Sequence, residues 1–308
     1  KLGLEWRPSE QVLFRGTFAQ VFRAPLITDL YGGETAASDG FTDPCNGIVE
    51  RNSLGAFINS TNPGCKNVFA NGTFSQTDTQ LNAIKGGNAN LTAEEGNSFT
   101  LGFVYEPSWL DGFSTTVDFW QVKLDDAIGT YGTQNILNDC FGSTASAPSP
   151  FCSLYTRRPN GEVEILFDKR ANKGTVETAG VDIGLRYRMD TDIGKFRFNV
   201  DATYLDKYDV EVVFNGEVLS TQQNAGTFLS SANGGEGNYS KWRALGNISW
   251  SKDIFDVSWT MRYVDGFTVG SLEPDGVCAN RGLQPGSAGC QFSIGAYTYH
   301  NVQFGVAF

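Results

Sequence analysis

The chain has 308 residues, 40% of them hydrophobic and 13% aromatic, with 36 glycines and a formal net charge of −11. The acidic balance argues against a nucleic-acid partner, which needs a basic surface, and the absence of any apolar run of about 18 residues excludes a transmembrane helix. The aromatic and glycine content favours β-strands and tight turns.

Strict alternation of polar and apolar residues predicts the secondary structure. About nine alternating segments follow one another along the chain, near residues 1–7, 12–19, 98–105, 113–120, 181–188, 196–204, 242–250, 255–263 and 301–308. The alternation spans 7–9 residues in each segment. We expect most of the strands to reach roughly ten residues or more, as lipid-spanning strands of about 9–11 residues do, whereas strands of soluble proteins usually have about 5–6. Because the first strand begins at Lys1, without a Met or a signal peptide, we expect the chain to be a fragment of a larger protein.

The connections between these segments alternate between short and long. Short ones fall near residues 8–10, 107–112, 190–194 and 251–254, and long ones near 21–96, 127–175, 209–238 and 267–295. Outer-membrane barrels have short periplasmic turns and long external loops. The sequence therefore predicts an all-β fold, a partial antiparallel transmembrane β-barrel domain over residues 1–308 with long external loops.

Charged residues of the predicted strands keep to one side of the alternation. This set comprises Arg15, Asp118, Asp182, Arg186, Arg188, Arg197 and Asp201. An arginine on the lipid face of a barrel costs about 2–4 kcal/mol at the bilayer midplane, so the confinement indicates an enclosed polar interior. The alternative is a soluble β-sandwich whose polar face meets solvent.

The six cysteines form three pairs that are close in sequence: Cys45 and Cys65, Cys140 and Cys152, and Cys278 and Cys290. Each pair lies within one long connection, so we expect local disulfides, although six cysteines allow fifteen connectivities. The chain has no CxxC spacing and a single histidine, His300. These two features argue against a metal site and a catalytic triad, and we expect no cofactor. We therefore expect no enzyme activity.

Several motifs, in order along almost the whole chain, resemble those of TonB-dependent outer-membrane receptors. Phe22-Arg23-Ala24-Pro25 is similar to the "FRAP" stretch that leads from a strand into an external loop in that family. Further similar pieces are Asn90–Glu94, Phe99–Val104 with Trp109–Gly112, Asp118–Trp120 with Asp125–Ile128, Glu177–Asp182 and Tyr299–Val302. Each piece alone is weak evidence for the resemblance. Their occurrence in the same order as in that family is the specific evidence.

The resemblance implies a location in the outer membrane of a Gram-negative bacterium and a barrel of about twenty-two strands. It implies energy-dependent uptake of a bulky nutrient such as a carbohydrate or iron–siderophore. The partners it implies are outer-membrane lipid, a plug domain of the same protein, TonB acting through the N-terminal part, and an extracellular small-molecule or oligosaccharide ligand. The alternatives are a passive porin and a secreted soluble β-sandwich that binds carbohydrate or acts as an enzyme.

In that family the external loops contact the ligand, so aromatic and basic loop residues are candidates for binding. Tyr31, Phe41, Tyr131 and Tyr155 are suited to stacking on sugar rings or on a chelate, or they pack the loops together. Arg157 and Arg158 form a basic spot that suits a carboxylate or phosphate; the alternative is an ordinary solvated loop.

Overall fold

The computed structural model describes residues 1–214, 217–229, 237–269 and 293–307. Their elements in chain order are β1 (Leu2–Ser9), β2 (Val12–Arg23), α1 (Ile27–Tyr31), β3 (Thr35–Gly40), a 3-10 helix (Pro63–Cys65), β4 (Gln80–Lys85), β5 (Glu94–Tyr105), β6 (Phe113–Asp125), β7 (Ile128–Gly129), α2 (Thr133–Gly142), a second 3-10 helix (Pro150–Leu154), β8 (Tyr155–Arg157), β9 (Val163–Phe167), β10 (Ala171–Asn172), β11 (Gly174–Thr191), β12 (Gly194–Phe214), β13 (Glu217–Gln223), β14 (Thr227–Leu229), β15 (Gly237–Asn238), β16 (Trp242–Lys252), β17 (Phe255–Val264), β18 (Phe267–Val269), β19 (Ser293–Ile294) and β20 (Tyr297–Val306). No helix among these residues is long and apolar enough to cross a membrane.

Nine strands form one antiparallel sheet, which we call the long sheet. Its order is β1-β2-β5-β6-β11-β12-β16-β17-β20, with β13 added beside β12. The sheet follows chain order, so every neighbour is reached by a direct antiparallel connection, and the prediction of about nine long antiparallel strands is confirmed. Within the described ranges, β1 and β20 are the two ends of the sheet and do not pair with each other.

The two faces of the long sheet differ in chemistry because the register aligns residues of the same kind across many strands. One row across the apolar face runs Phe14, Phe103, Val117, Ile183, Ala202, Ala244 and Tyr263. The next row, on the polar face, runs Arg15, Gly102, Asp118, Asp182, Thr203 and Arg243. Adjacent residues of a strand point to opposite faces, so the alternation in sequence becomes a two-faced wall.

The apolar face is not covered by protein in the described part of the chain. Phe103, Ile183 and Phe198 are half-buried and Trp259 is 38% exposed. A β-sandwich would bury this face about 10 Å from a second sheet. The structure has no such second layer over the described residues, and the soluble-sandwich alternative is therefore wrong.

Glycine lets the polar face carry ion pairs that reach across a strand. Arg15 donates to both carboxylate oxygens of Asp118, from Nε at 2.8 Å and from Nη2 at 2.5 Å. Gly102 lies between them in the row, and a Cβ on it would stand 2.0 Å from Asp118 Oδ1. Only glycine leaves room for this pair, which explains why an alternating strand has no side chain at that position.

A β-bulge changes the faces of β12 near its far end. Gly180 pairs with Leu205 and Ala179 pairs with Lys207, which leaves Asp206 without a partner in the ladder. The extra residue reverses the alternation, so that Val212 and Phe214 lie on the same side as the polar wall. There they pack against the connections described below. The strand therefore extends to Phe214 instead of ending near 209, where the alternation predicts the start of a long connection.

Candidate functional site

The two long connections at residues 24–93 and 126–173 fold together into a compact unit, which we call the loop cap. They leave the same end of the long sheet, from β2 to β5 and from β6 to β11. The strands β3, β4, β9 and β8 form a separate four-stranded sheet within it. The sequence predicts these segments only as long connections, because the strands of the cap are short and pair across large separations.

A hydrophobic core holds the loop cap together and attaches it to the long sheet. Its fully buried members include Ile136 and Leu137 of α2, Phe151 and Leu166. Three aromatic rings meet where the core reaches β12: Tyr131, Phe151 and Phe214, with centroids 4.7–5.6 Å apart. Because Phe214 and Val212 lie on the polar-wall side after the bulge, the cap lies over that side of the sheet end.

Two disulfides stabilise the loop cap, and both join cysteines that the sequence predicts as local pairs. Cys45 bonds to Cys65 and Cys140 bonds to Cys152. The predicted third pair, Cys278 and Cys290, lies outside the described residues. Closing loops of this length removes roughly 3 kcal/mol of chain entropy from the open state in the simplest account.

Arg157 and Asp43 form a buried ion pair in the loop cap. Their side chains are 1% and 0% exposed, and both Nη atoms donate to the carboxylate at 2.7 and 2.8 Å. The guanidinium also donates to the carbonyl oxygens of Gly64 and Gly161, at 2.6 and 2.7 Å. All of its nitrogens are therefore occupied inside the protein. Because Asp43 lies 114 residues away in the other connection, the structure contradicts the expectation that Arg157 is a solvated loop residue and places its guanidinium inside the protein.

Arg158 and Tyr31 are the two predicted ligand contacts that remain accessible. The Arg158 side chain is 54% exposed and lies 3.9 Å from Glu162 and from Glu164. Tyr31, at the end of α1, is 71% exposed. Phe41, Tyr131 and Tyr155 instead belong to the core of the loop cap, which is the packing role that the sequence leaves open.

A buried carboxylate organises the start of α2. Asp168 is 1% exposed, and its two oxygens accept the backbone N–H groups of Tyr131 and Gly132 at 2.8 and 3.1 Å. These donors precede the first turn of α2, where a negative charge is favoured. Burial raises the pKa of the Asp168 carboxyl, and it raises the pKa of Tyr131 to about 12. No local sequence pattern marks Asp43 or Asp168, so neither residue is predictable from the sequence.

The motifs with family resemblance meet at the junction of the loop cap and the long sheet. Arg23 of the "FRAP" stretch pairs in register with Glu94 and forms an ion pair with it. Asp29 lies 3.8 Å from Arg23 and 3.5 Å from Arg170. The other Glu94 oxygen accepts the backbone N–H of Ile128 at 2.7 Å. Three separate motifs are thus joined through one buried glutamate that fixes both connections to the wall. Of the stretch itself, Phe22 is exposed on the opposite face, and Ala24 and Pro25 lead into α1.

An open cavity of about 670 Å³ lies between α2, the second 3-10 helix and the β12–β13 hairpin. Polar side chains line one part of it, among them Asn138, Asp139 and Gln222. Val218 and Leu219 line another part. The cavity is wide open to solvent, whereas small-molecule sites usually enclose most of their ligand. Within the described ranges, no group of three His, Cys, Asp or Glu side chains is placed to hold a metal ion.

Comparison with known proteins agrees with this architecture. The family model "TonB dependent receptor-like, beta-barrel" matches residues 1–308. No curated protein sequence matches. Among solved structures, the siderophore receptor PirA from Acinetobacter baumannii is 13% identical with a TM-score of 0.51, over 99% of this chain and 34% of that one. The ferric enterobactin receptor PfeA from Pseudomonas aeruginosa is 12% identical with a TM-score of 0.52, over 97% of this chain and 31% of that one.

The chain therefore spans about a third of the length of these solved structures, and at such identity the likeness concerns the fold alone. The expectation of an antiparallel barrel is confirmed by the family match and by these neighbours. TonB-dependent receptors are transporters and not enzymes, in agreement with the sequence prediction, and they belong to the Gram-negative outer membrane. The chain belongs to the TonB-dependent receptor-like β-barrel family.

Proposed function

We propose that the chain forms part of the barrel of an outer-membrane receptor that imports a bulky nutrient with energy supplied through TonB. The observation that carries this proposal is the pairing of a two-faced wall with a folded loop cap on its polar side. An uncovered apolar face suits acyl chains, and charged rows such as the one from Arg15 to Asp118 suit a wet interior. A cap over the interior side gives selective capture, because a ligand must pass it.

The loop cap is the proposed place of ligand capture. Tyr31 and Arg158 are the predicted contacts with accessible side chains, and the cavity beside Asn138 and Gln222 offers further polar groups. Phe41, Tyr131, Tyr155 and Arg157 act as supports of this surface. The sequence leaves the ligand as a carbohydrate, a siderophore–iron complex or a similar molecule. The structural neighbours include a siderophore receptor and a ferric enterobactin receptor, which makes a ferric siderophore the first ligand to test.

A passive porin is the second candidate function, and the structure of the loop cap argues against it. An open channel has no use for two connections joined by a buried core, two disulfides and a buried ion pair. The remaining partners of the proposed receptor are the plug domain of the same protein, TonB and the lipid of the outer membrane. At a net charge of −11, nucleic acid is not among them.

Conductance of the full-length protein in planar bilayers separates the two candidates. A receptor whose interior is filled by a plug stays closed, and a variant with the plug deleted conducts steadily. Steady conductance from the intact protein would contradict the proposal and support a porin.

Uptake of iron-55 enterobactin, with and without a proton uncoupler, then tests the ligand class. Uptake that is indifferent to the uncoupler would oppose TonB-driven transport.

A further inference from the structure

Part of the loop cap folds into a small three-armed sheet, which we call the plate. Its arms are residues 48–52, 56–60 and 68–72. Each arm pairs with the other two. The arms meet in a ring of backbone hydrogen bonds, in which Glu50 donates to Ala70 at 2.9 Å, Ala70 to Ile58 at 2.9 Å and Ile58 to Glu50 at 3.3 Å. The ring fixes the position of each arm relative to the other two.

The three arms repeat one pattern of side chains. Each has an apolar residue and, two positions later, a polar one: Val49 and Arg51, Phe57 and Asn59, Phe69 and Asn71. The register joins them crosswise, with Val49 opposite Asn71, Arg51 opposite Phe57, and Asn59 opposite Phe69. Because directly opposite side chains of an antiparallel pair lie on the same side of a sheet, all six share one face.

The two faces of the plate differ in burial. On one face, Val68 is fully buried against the disulfide of Cys45 and Cys65. On the other, Phe69 is 48% exposed, and Val49 and Phe57 are exposed as well. In a water-soluble loop unit with its own core, aromatic rings held open on a rigid, disulfide-bonded support indicate a binding surface.

An exposed amide lies among these rings. Asn59 is opposite Phe69 and two positions from Phe57 on its own arm. Within the described part of the chain, the side chain of Asn59 makes no hydrogen bond. The single charged group of the face is Arg51, whose guanidinium carbon lies 3.7 Å from the ring centroid of Phe57 and whose Nη1 donates to Gly55 O at 2.7 Å.

We propose that the plate binds a neutral saccharide unit of the imported nutrient, with the C–H face of a pyranose ring against Phe69 and its hydroxyl groups hydrogen-bonded to the amide of Asn59. A pyranose has an apolar face and a rim of hydroxyls, which match an aromatic ring beside an amide that both donates and accepts. This inference rests on the proposed function and selects carbohydrate among the nutrient classes that the sequence leaves open.

Other occupants fit the plate less well. A protein partner needs about 20–30 residues on each side, whereas the plate presents six side chains. An anionic chelate would need free cations, and the one cation of the face, Arg51, is already stacked on Phe57. Lipid does not fit either, because the loop cap lies over the polar side of the long sheet.

Glycan binding by the full-length receptor tests the proposal, in a detergent whose headgroup is not a sugar. A printed array of neutral oligosaccharides selects the tightest binder, and isothermal titration calorimetry measures its Kd. We expect F69A and N59D each to weaken binding several-fold, and F57A/F69A to weaken it roughly ten-fold. The control is L54A, which removes a side chain that is 90% exposed in the turn between the first two arms and should leave Kd unchanged.

Hydrogen exchange of residues 45–72 shows whether each variant keeps the plate folded. N59D keeps the size of the side chain, so it decides the matter if F69A disturbs the fold. The proposal is overturned if no glycan on the array binds, if F69A and N59D leave Kd unchanged, or if L54A weakens binding as much as they do. Weaker binding of ferric enterobactin in F69A, without any glycan binding, would assign the plate to a chelate instead. In a receptor with proton-dependent uptake, such results refute only this inference, whereas steady conductance of the intact protein refutes the proposed function.

Discussion

The long sheet and the loop cap differ in how far they bury their large apolar side chains. On the long sheet, large apolar side chains such as Leu101 and Trp259 stay 54% and 38% exposed. In the loop cap, side chains of the same kind, such as Ile136 and Phe151, are 0% and 2% exposed. The cap carries its own core as a water-soluble domain does, whereas the sheet leaves its apolar face for lipid to cover.

This difference predicts which changes damage which region. Changes inside the loop cap should loosen the cap and leave the barrel folded. Changes on the apolar face should impair insertion and leave the cap's contacts intact.

The largest effect is expected when the buried ion pair of the loop cap is broken. Arg157→Ala leaves Asp43 as a buried charge without a partner, which costs about 3–5 kcal/mol. Hydrogen exchange of residues 41–75 should rise steeply, with unchanged exchange in β11 and β12. The matched control is Arg158→Ala, because that side chain is 54% exposed and its loss should leave exchange unchanged. Equal effects of the two substitutions would contradict the buried role of Arg157.

The next largest effect is expected on the apolar face. Ile183→Arg places a guanidinium among Val117 and Ala202 and should cost about 2–4 kcal/mol of barrel stability in a bilayer. Urea unfolding of the receptor in lipid vesicles measures this cost. Thr116→Arg, on the polar face opposite Gly184, is the control and should cost far less. An equal loss at both positions would mean that the faces are not distinguished by lipid.

A smaller effect is expected at the start of α2. Asp168→Asn keeps one carbonyl oxygen but turns an N–H group toward one of the backbone donors of Tyr131 and Gly132. An unsatisfied buried donor costs about 1–3 kcal/mol. Protease cleavage within residues 126–173 should become faster while the barrel strands stay protected. Unchanged cleavage would show that Asp168 is dispensable for the cap.

The smallest effect is expected for an exposed ion pair of the polar wall. Arg186 and Asp201 are 46% and 56% exposed, so Arg186→Gln should change stability by less than about 1 kcal/mol. Urea unfolding in vesicles checks this as well. A loss as large as that of Ile183→Arg would mean that the interior is drier than the exposure of this pair indicates.

The sequence predicts the long sheet well because its signal is local. Alternation with a period of two needs only neighbouring residues, so segments such as 181–188 and 196–204 already identify the strands and their two faces. The bulge at Asp206 is not visible in this pattern, since it depends on how β12 pairs with β11. The strand end at Phe214 is missed for the same reason.

The loop cap is predicted poorly because its contacts are not local. Asp43 and Arg157 are 114 residues apart, and no periodic pattern connects them. Tyr31 and Tyr155 look alike as loop aromatics, yet one is exposed and the other is in the core. The local disulfides, Cys45 with Cys65 and Cys140 with Cys152, are the exception because each pair lies within one connection.

The central claim is that lipid covers one face of the long sheet and water or protein covers the other. Nitroxide labels placed one at a time along β12, from Arg197 to Thr203, test it in the full-length receptor in bilayers. We expect Phe198, Val200 and Ala202 to be reached by oxygen dissolved in the lipid and not by a water-soluble relaxation agent, and we expect this oxygen accessibility to be lost at the residues between them. Equal accessibility at neighbouring positions, without a period of two, would contradict it.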